Sequence, residues 1–159
     1  MTRDAKDTTA ADAGLAAYFT NDHRHCDAGW AEVEGAAESG QETAVVECWQ
    51  RFDRNLRRHL AMEEELLFPA FEAATGMHNA GPSHVMRMEH EQMRGVLDQM
   101  AAAIDRGDRD ELLDQGETLH ILIQQHNMKE EGMLYPMAEQ VLAAEWPGLR
   151  EKLEGFDRP

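Results

Sequence analysis

Two short stretches carry the same polar residues at the same spacing: His59-Leu-Ala-Met-Glu63-Glu64 and His126-Asn-Met-Lys-Glu130-Glu131. Each continues through a leucine and an aromatic residue to a proline, Leu67-Phe68-Pro69 in one and Leu134-Tyr135-Pro136 in the other. A neutral imidazole offers a nitrogen lone pair and a carboxylate offers oxygen. A histidine with a glutamate one helical turn later can therefore grip a metal ion. Sliding the chain until His59 falls on His126 also lays His23 on His90, Glu63 on Glu130 and Glu64 on Glu131. Gly40 then meets Gly107, and Asp22 meets Glu89 with its charge kept. Most other aligned pairs differ. Identity gathers at metal-capable residues and at chain punctuation, as an internal repeat of a two-helix unit predicts.

The elements that must position these residues are helices. Alanine, leucine, methionine and glutamate are abundant, and runs of β-branched residues are absent. The pattern predicts helices over 12–38, 42–74, 82–105 and 108–144, the first broken near Thr20 and Asn21, where a second cap could form. Gly40 is expected to cap the first helix. Pro69 and Pro136 fall inside the second and fourth, and each should kink its helix or end the regular part of it. Residues 1–11 are expected to be flexible, 12–144 to form the bundle and 145–159 a short C-terminal appendage whose Trp146 and Leu149 cover one end. Four long helices with short connections predict an all-α fold, an up-down-up-down antiparallel four-helix bundle.

Positions three, four and seven apart share a helix face. Around His23 that face holds Phe19, Cys26, Trp30 and Val33. Around His59 it holds Phe52, Leu56, Glu63 and Leu66. Met86, Met93, Leu97 and Ile104 surround His90; Leu119, Leu122, Ile123, Glu130 and Met133 surround His126. A bundle that turns these stripes inward buries four imidazoles and two carboxylates. An unpaired buried carboxylate costs several kcal/mol or takes up a proton. Direct pairing of glutamate with protonated histidine is one metal-free solution. A metal centre accounts better for a twofold set of six. Imidazole and carboxylate without a thiolate cluster suit iron, manganese or zinc, and two carboxylates from opposite halves can bridge a pair of ions.

The remaining candidates read as follows. His25 shares a solvated face with Asn21, Gly29 and Glu32. His84, at the start of the third helix, and the repeated acids Glu64 and Glu131 are candidates for further ligands; surface or outer-layer positions suit the two acids equally. His120 flanks a core stripe, and His78 falls in a loop. Cys26 and Cys48 lack metal-site spacing and read as two reduced thiols.

The chain has 159 residues, 31 acidic against 15 basic for a net charge of −16, and is 42% hydrophobic. That is enough for one domain with a core. The charge argues against nucleic acid and anionic membrane surfaces as partners. No apolar run approaches the ~18 residues of a membrane span. The N-terminus lacks the apolar segment of a signal peptide, which leaves the cytoplasm as the default location.

At "DHRHCD", "HLAMEEELLFP", "MEHEQMRGVL" and "HNMKEEGMLYP" the sequence resembles the hemerythrin-like, or HHE cation-binding, family, over about residues 15–144. That family is itself a standard example of the up-down-up-down bundle. The resemblance implies two iron ions with an oxo or hydroxo bridge, held by His23, His59, Glu63, His90, His126 and Glu130. It implies a small diatomic ligand, O2 or nitric oxide, bound at an open metal position. Oxygen-carrying members have a second helix-three histidine where this chain has Met86. They also place their last acid five residues after the final histidine, where Glu131 stands here. The set of four histidines and two glutamates is more similar to the branch containing proteins that repair iron–sulfur centres under nitrosative or oxidative stress.

Three functional classes follow: oxygen binding or sensing, stress handling with iron donation to iron–sulfur clusters, and a mononuclear or zinc bundle without a redox role. A ferritin-like oxidase needs two Glu-x-x-His motifs, and only Glu117–His120 is present. No nucleophile or acid–base pair is visible, so a binding protein is expected ahead of a turnover enzyme.

Overall fold

A computed structural model describes residues 14–156; the N-terminal stretch 1–11 lies outside the described residues. Within them all regular structure is helical. Helix α1 is Leu15–Glu38. Helix α2 covers 42–75, built of Glu42–Met62, one π turn over Glu63–Leu67, and Phe68–Thr75. Helix α3 is Pro82–Arg106. Helix α4 covers 109–141, built of Arg109–Lys129, a π turn over Glu130–Leu134, and Tyr135–Val141. Helix α5 is Trp146–Glu154.

The two tight turns follow from glycine. Gly40 and Gly107 stand at φ 69° and 67°, the left-handed region that costs other residues about 1 kcal/mol or more. There the chain's N–H groups reach back to the last helical carbonyls, Gln41 to Ala36 and Asp108 to Ala103. The Asp108 carboxylate then accepts from the Glu111 N–H and starts α4.

Two expectations need correction. Helix α1 runs unbroken through Thr20 and Asn21, because Phe19, His23 and Cys26 continue one buried stripe across them. As expected, the regular α-helix ends ahead of Pro69 and Pro136, at Met62 and Lys129. A π turn precedes each, with the Phe68 N–H bonded to Glu63 O and the Tyr135 N–H to Glu130 O. The wider turn accommodates a residue that cannot donate. It also leaves the Glu64 carbonyl facing Pro69, and Arg87 supplies the missing hydrogen at 3.4 Å. Finally, α4 ends at Val141 and not at 144, and a turn leads into α5.

Helix α1 packs along α2, α2 against α3, α3 along α4, and α4 back against α1. Their inward stripes form two apolar clusters. One gathers Cys26, Trp30, Phe52, Leu56, Met93, Leu97, Leu119 and Ile123. The other gathers Leu15, Phe19, Leu67, Phe68, Met86, Leu134 and Tyr135, closed by Leu149 and Leu153 of α5. Trp146 lies edge-on to Tyr18 at 5.7 Å. Gly116 stands within α4 because the Trp30 ring fills the place a β-carbon would take. Cys26 and Cys48 are free thiols. No helix among the described residues is long and apolar enough to cross a membrane.

Candidate metal centre

Between the two apolar clusters lies a polar layer. His23, His59, Glu63, His90, His126 and Glu130 are each at most 3% exposed. Each helix sets its histidine where one cluster gives way to the other: Phe19–His23–Cys26 on α1, Leu56–His59–Glu63 on α2, Met86–His90–Met93 on α3 and Ile123–His126–Glu130 on α4. The structure therefore brings all six sequence-predicted residues together. Donor-capable atoms of Glu63, His90, His126 and Glu130 lie within 4.8 Å of one another, and so do those of His23, His59 and Glu130.

An outer ring of carboxylates fixes the imidazoles. Nδ1 of His23 is 2.9 Å from Glu131 Oε2, and Nδ1 of His59 is 2.7 Å from Asp22 Oδ2. Nδ1 of His90 is 2.9 Å from Glu64 Oε2, and Nδ1 of His126 is 2.9 Å from Glu89 Oε1. Ionised carboxylates only accept, so each Nδ1 carries the hydrogen, and each ring, when neutral, presents a bare Nε2 inward. This is the arrangement that orients metal-bound histidines. The acids are themselves held: Glu64 by Arg94, Glu89 by Lys129, Glu131 by Arg24.

The inward atoms do not satisfy one another. Glu130 Oε1 lies 3.0 Å from His23 Nε2 and 2.9 Å from His126 Nε2. Glu63 Oε1 lies 3.3 Å from His59 Nε2 and 3.2 Å from His90 Nε2. His90 Nε2 and His126 Nε2 face each other at 3.2 Å. Burial pushes the His23 imidazole down to about 2 and that of His126 to about 4, so both rings are neutral at pH 7. His59 Nε2, Glu63 Oε1 and Glu130 Oε2 are buried without a hydrogen-bond partner. Lone pairs converging at about 3 Å, three of them orphaned, fit one kind of occupant, a cation. Donor atoms bound at about 2.1 Å to one octahedral ion lie about 3 Å apart. Cys26 adds no thiolate, because burial pushes its thiol well above the ordinary range.

Without a cation, the cost falls on Glu130. Burial, and then the charge of Glu63, raise its carboxyl well above the usual carboxylate range. His59 moves up as well, since Glu63 and Asp22 outweigh the opposing effect of burial.

The other candidates fall elsewhere. His25 is exposed and contacts Asn55 at 3.3 Å. His78 and His120 are exposed. His84 is half-buried and borders a surface hollow with Glu72, His78, Asn79 and Arg87. Glu64 and Glu131 sit in the outer ring and hydrogen-bond the histidines. Two outer partners, Asp22 and Glu89, were visible in the sequence as an aligned acidic pair with no role attached. Tyr135 was missed. Its hydroxyl reaches Glu63 Oε2 at 2.8 Å, and the sign was the aromatic position repeated before each proline.

Asp22→Asn or Glu89→Gln, which keep shape but remove charge from an outer acceptor, are expected to weaken cation binding about 10–100-fold. Competition against a chelating dye measures this.

In comparison with known proteins, the family model described as hemerythrin HHE cation binding domain matches residues 15–138. Searches of curated proteins and of solved structures returned no match.

Proposed function

The chain belongs to the hemerythrin HHE cation-binding family, and on that premise we propose that it is a non-haem di-iron protein that binds O2 or nitric oxide, in oxygen sensing or in the handling of oxidative or nitrosative stress. The carrying observation is the inward convergence of imidazole nitrogens and carboxylate oxygens, with His59 Nε2, Glu63 Oε1 and Glu130 Oε2 left without a hydrogen-bond partner. In this reading His90, His126, Glu63 and Glu130 would hold one cation, and His23, His59 and Glu130 would hold the other. Two ferrous ions bound there would supply Lewis acidity and electrons to a small diatomic molecule.

The chain's own residues supply the rest. Asp22, Glu64, Glu89 and Glu131 hold the Nδ1 protons and so keep each Nε2 lone pair inward. Phe19 lies edge-on to His59 at 6.1 Å, and Phe68 is tilted against His90 at 5.5 Å. With Met86 and Met93 they wall the layer from water and lower its dielectric.

The up-down-up-down topology is part of the proposal. It is supported by the stripes, which pass from one apolar cluster to the other in alternating order along α1 to α4. We also propose a bundle domain over 12–144, an appendage over 145–159 and a cytoplasmic location.

Metal analysis of freshly purified protein, with optical spectra recorded anaerobically and after O2 or nitric oxide is added, tests the reading. Two irons per chain and a ligand-dependent charge-transfer band are expected. Zinc alone, or iron whose spectrum neither gas changes, would overturn it.

A further inference from the structure

Tyr135 is fully buried, and its hydroxyl oxygen stands among the inward atoms of the centre. It lies 3.0 Å from His23 Nε2, 2.8 Å from Glu63 Oε2 and 3.1 Å from Glu130 Oε1. His23 Nε2 and Glu63 Oε2 are both acceptors, since the His23 ring hydrogen is committed to Glu131. One hydroxyl hydrogen can satisfy one of them. Hydrogen bonding alone thus leaves the phenol facing a further lone pair.

The π turn places it there. In an α-helix a residue five positions after Glu130 points well away from it. The wider turn over Glu130–Leu134 brings Tyr135 back to the same face. The same device operates in the first half, where the residue in the matching place is Phe68. Its ring packs on His90 as Tyr135 packs on His23, at 5.5 Å and 5.4 Å. Packing is therefore met by a phenyl ring, and the oxygen on one side only needs another explanation.

The two donor groups are also unequal. Glu63, His90, His126 and Glu130 make a set of four, while His23, His59 and Glu130 make three. The phenol oxygen lies 3.0 Å and 3.1 Å from His23 and Glu130 of the poorer set, the spacing expected of atoms sharing one ion, while its bond to Glu63 ties it to the richer one.

We propose that Tyr135 is a seventh ligand-bearing residue, whose oxygen completes the position formed by His23, His59 and Glu130 and makes the two cation positions chemically different. This rests on the di-iron reading. On coordination an O–Fe bond replaces the O–H bond, the proton passes to solvent, and no electron moves.

The test uses the full chain, loaded anaerobically with ferrous iron and oxidised with ferricyanide, which accepts one electron per iron. Iron per chain is counted first. A ferric ion bound by phenolate is expected to show a visible charge-transfer band, and excitation into it should enhance tyrosine ring vibrations. The chain has two tyrosines, Tyr18 and Tyr135. Tyr18→Phe should keep the band, and Tyr135→Phe should lose it while retaining at least one iron per chain. Phe68 at the matching place shows that a phenyl ring fits. If Tyr135→Phe fails to fold, Tyr18→Phe still decides, because any phenolate band in it comes from Tyr135. Two irons per chain without the band, or a band that survives Tyr135→Phe, overturns the inference and leaves the di-iron reading intact. No iron uptake overturns both.

Discussion

His59→Ala and His126→Ala are each expected to deprive the protein of iron, while His25→Ala keeps a full complement. Either of the first two removes an imidazole whose Nε2 faces the centre. It also leaves a carboxylate, Asp22 or Glu89, without the ring it accepts from. The loss should exceed the 10–100-fold typical of the outer partners, because a donor disappears outright and is not merely loosened. His25 lies two residues from His23, yet the helix carries it to the solvent side. Iron per chain after desalting is the measurement. Full retention in both of the first two variants would remove His59 and His126 from the ligand set.

Glu130→Gln should separate stability from binding. The residue is completely buried and lies close to the inward nitrogens of His23 and His126. In the metal-free protein burial and the charge of Glu63 raise its carboxyl well above the usual carboxylate range. A group whose folded pKa is raised stabilises the fold at low pH and loses that contribution as pH climbs through the folded value. His59 and His90 shift the same way, His90 because Glu63 and Glu64 outweigh its burial. His23 and His126 shift downward, and their effect is complete by their ordinary value of 6.5. Above pH 6.5 only the raised groups act. Metal-free stability should then fall with rising pH, by about 1.4 kcal/mol per pH unit for each proton released. The amide cannot ionise, and its N–H can donate to an Nε2. Glu130→Gln is expected to stabilise the metal-free protein by about 1–4 kcal/mol at pH 8, to flatten the pH dependence and to abolish cation binding. Urea melts at pH 6.5 and 8, with and without iron, give the comparison. A metal-free variant less stable than its parent at pH 8 would contradict the assignment of the cost to Glu130.

Helices, turns and the buried polar set were legible because they rest on local chemistry. Gly40 and Gly107 mark turns, and the period of 3.6 places His23, His59, His90 and His126 on apolar stripes. Past Glu63 and Glu130 the same period misleads. It put Leu66 and Met133 inward, whereas the structure buries Leu67 and Leu134 and leaves Met133 47% exposed. Each π turn adds one residue and advances the buried stripe by one. The repeated proline announced a disturbance, but a kink, a stop and a wider turn begin with the same sequence signal. Tyr135 was hidden for that reason. The roles of Asp22 and Glu89 depend on which helices become neighbours, which the spacing within one helix does not contain.

The outer ring has a direction around the bundle. Asp22 serves His59 and Glu89 serves His126, each pair inside one hairpin. Glu64 and Glu131 reach across to His90 and His23 of the other. Each hairpin thus orients one imidazole by itself and lends the acid that orients one of its neighbour's. Two identical hairpins side by side would contain the same exchange by symmetry. The 76–81 connection keeps the two hairpins together, and since each borrows an acid from the other, neither half alone would hold both of its rings in place.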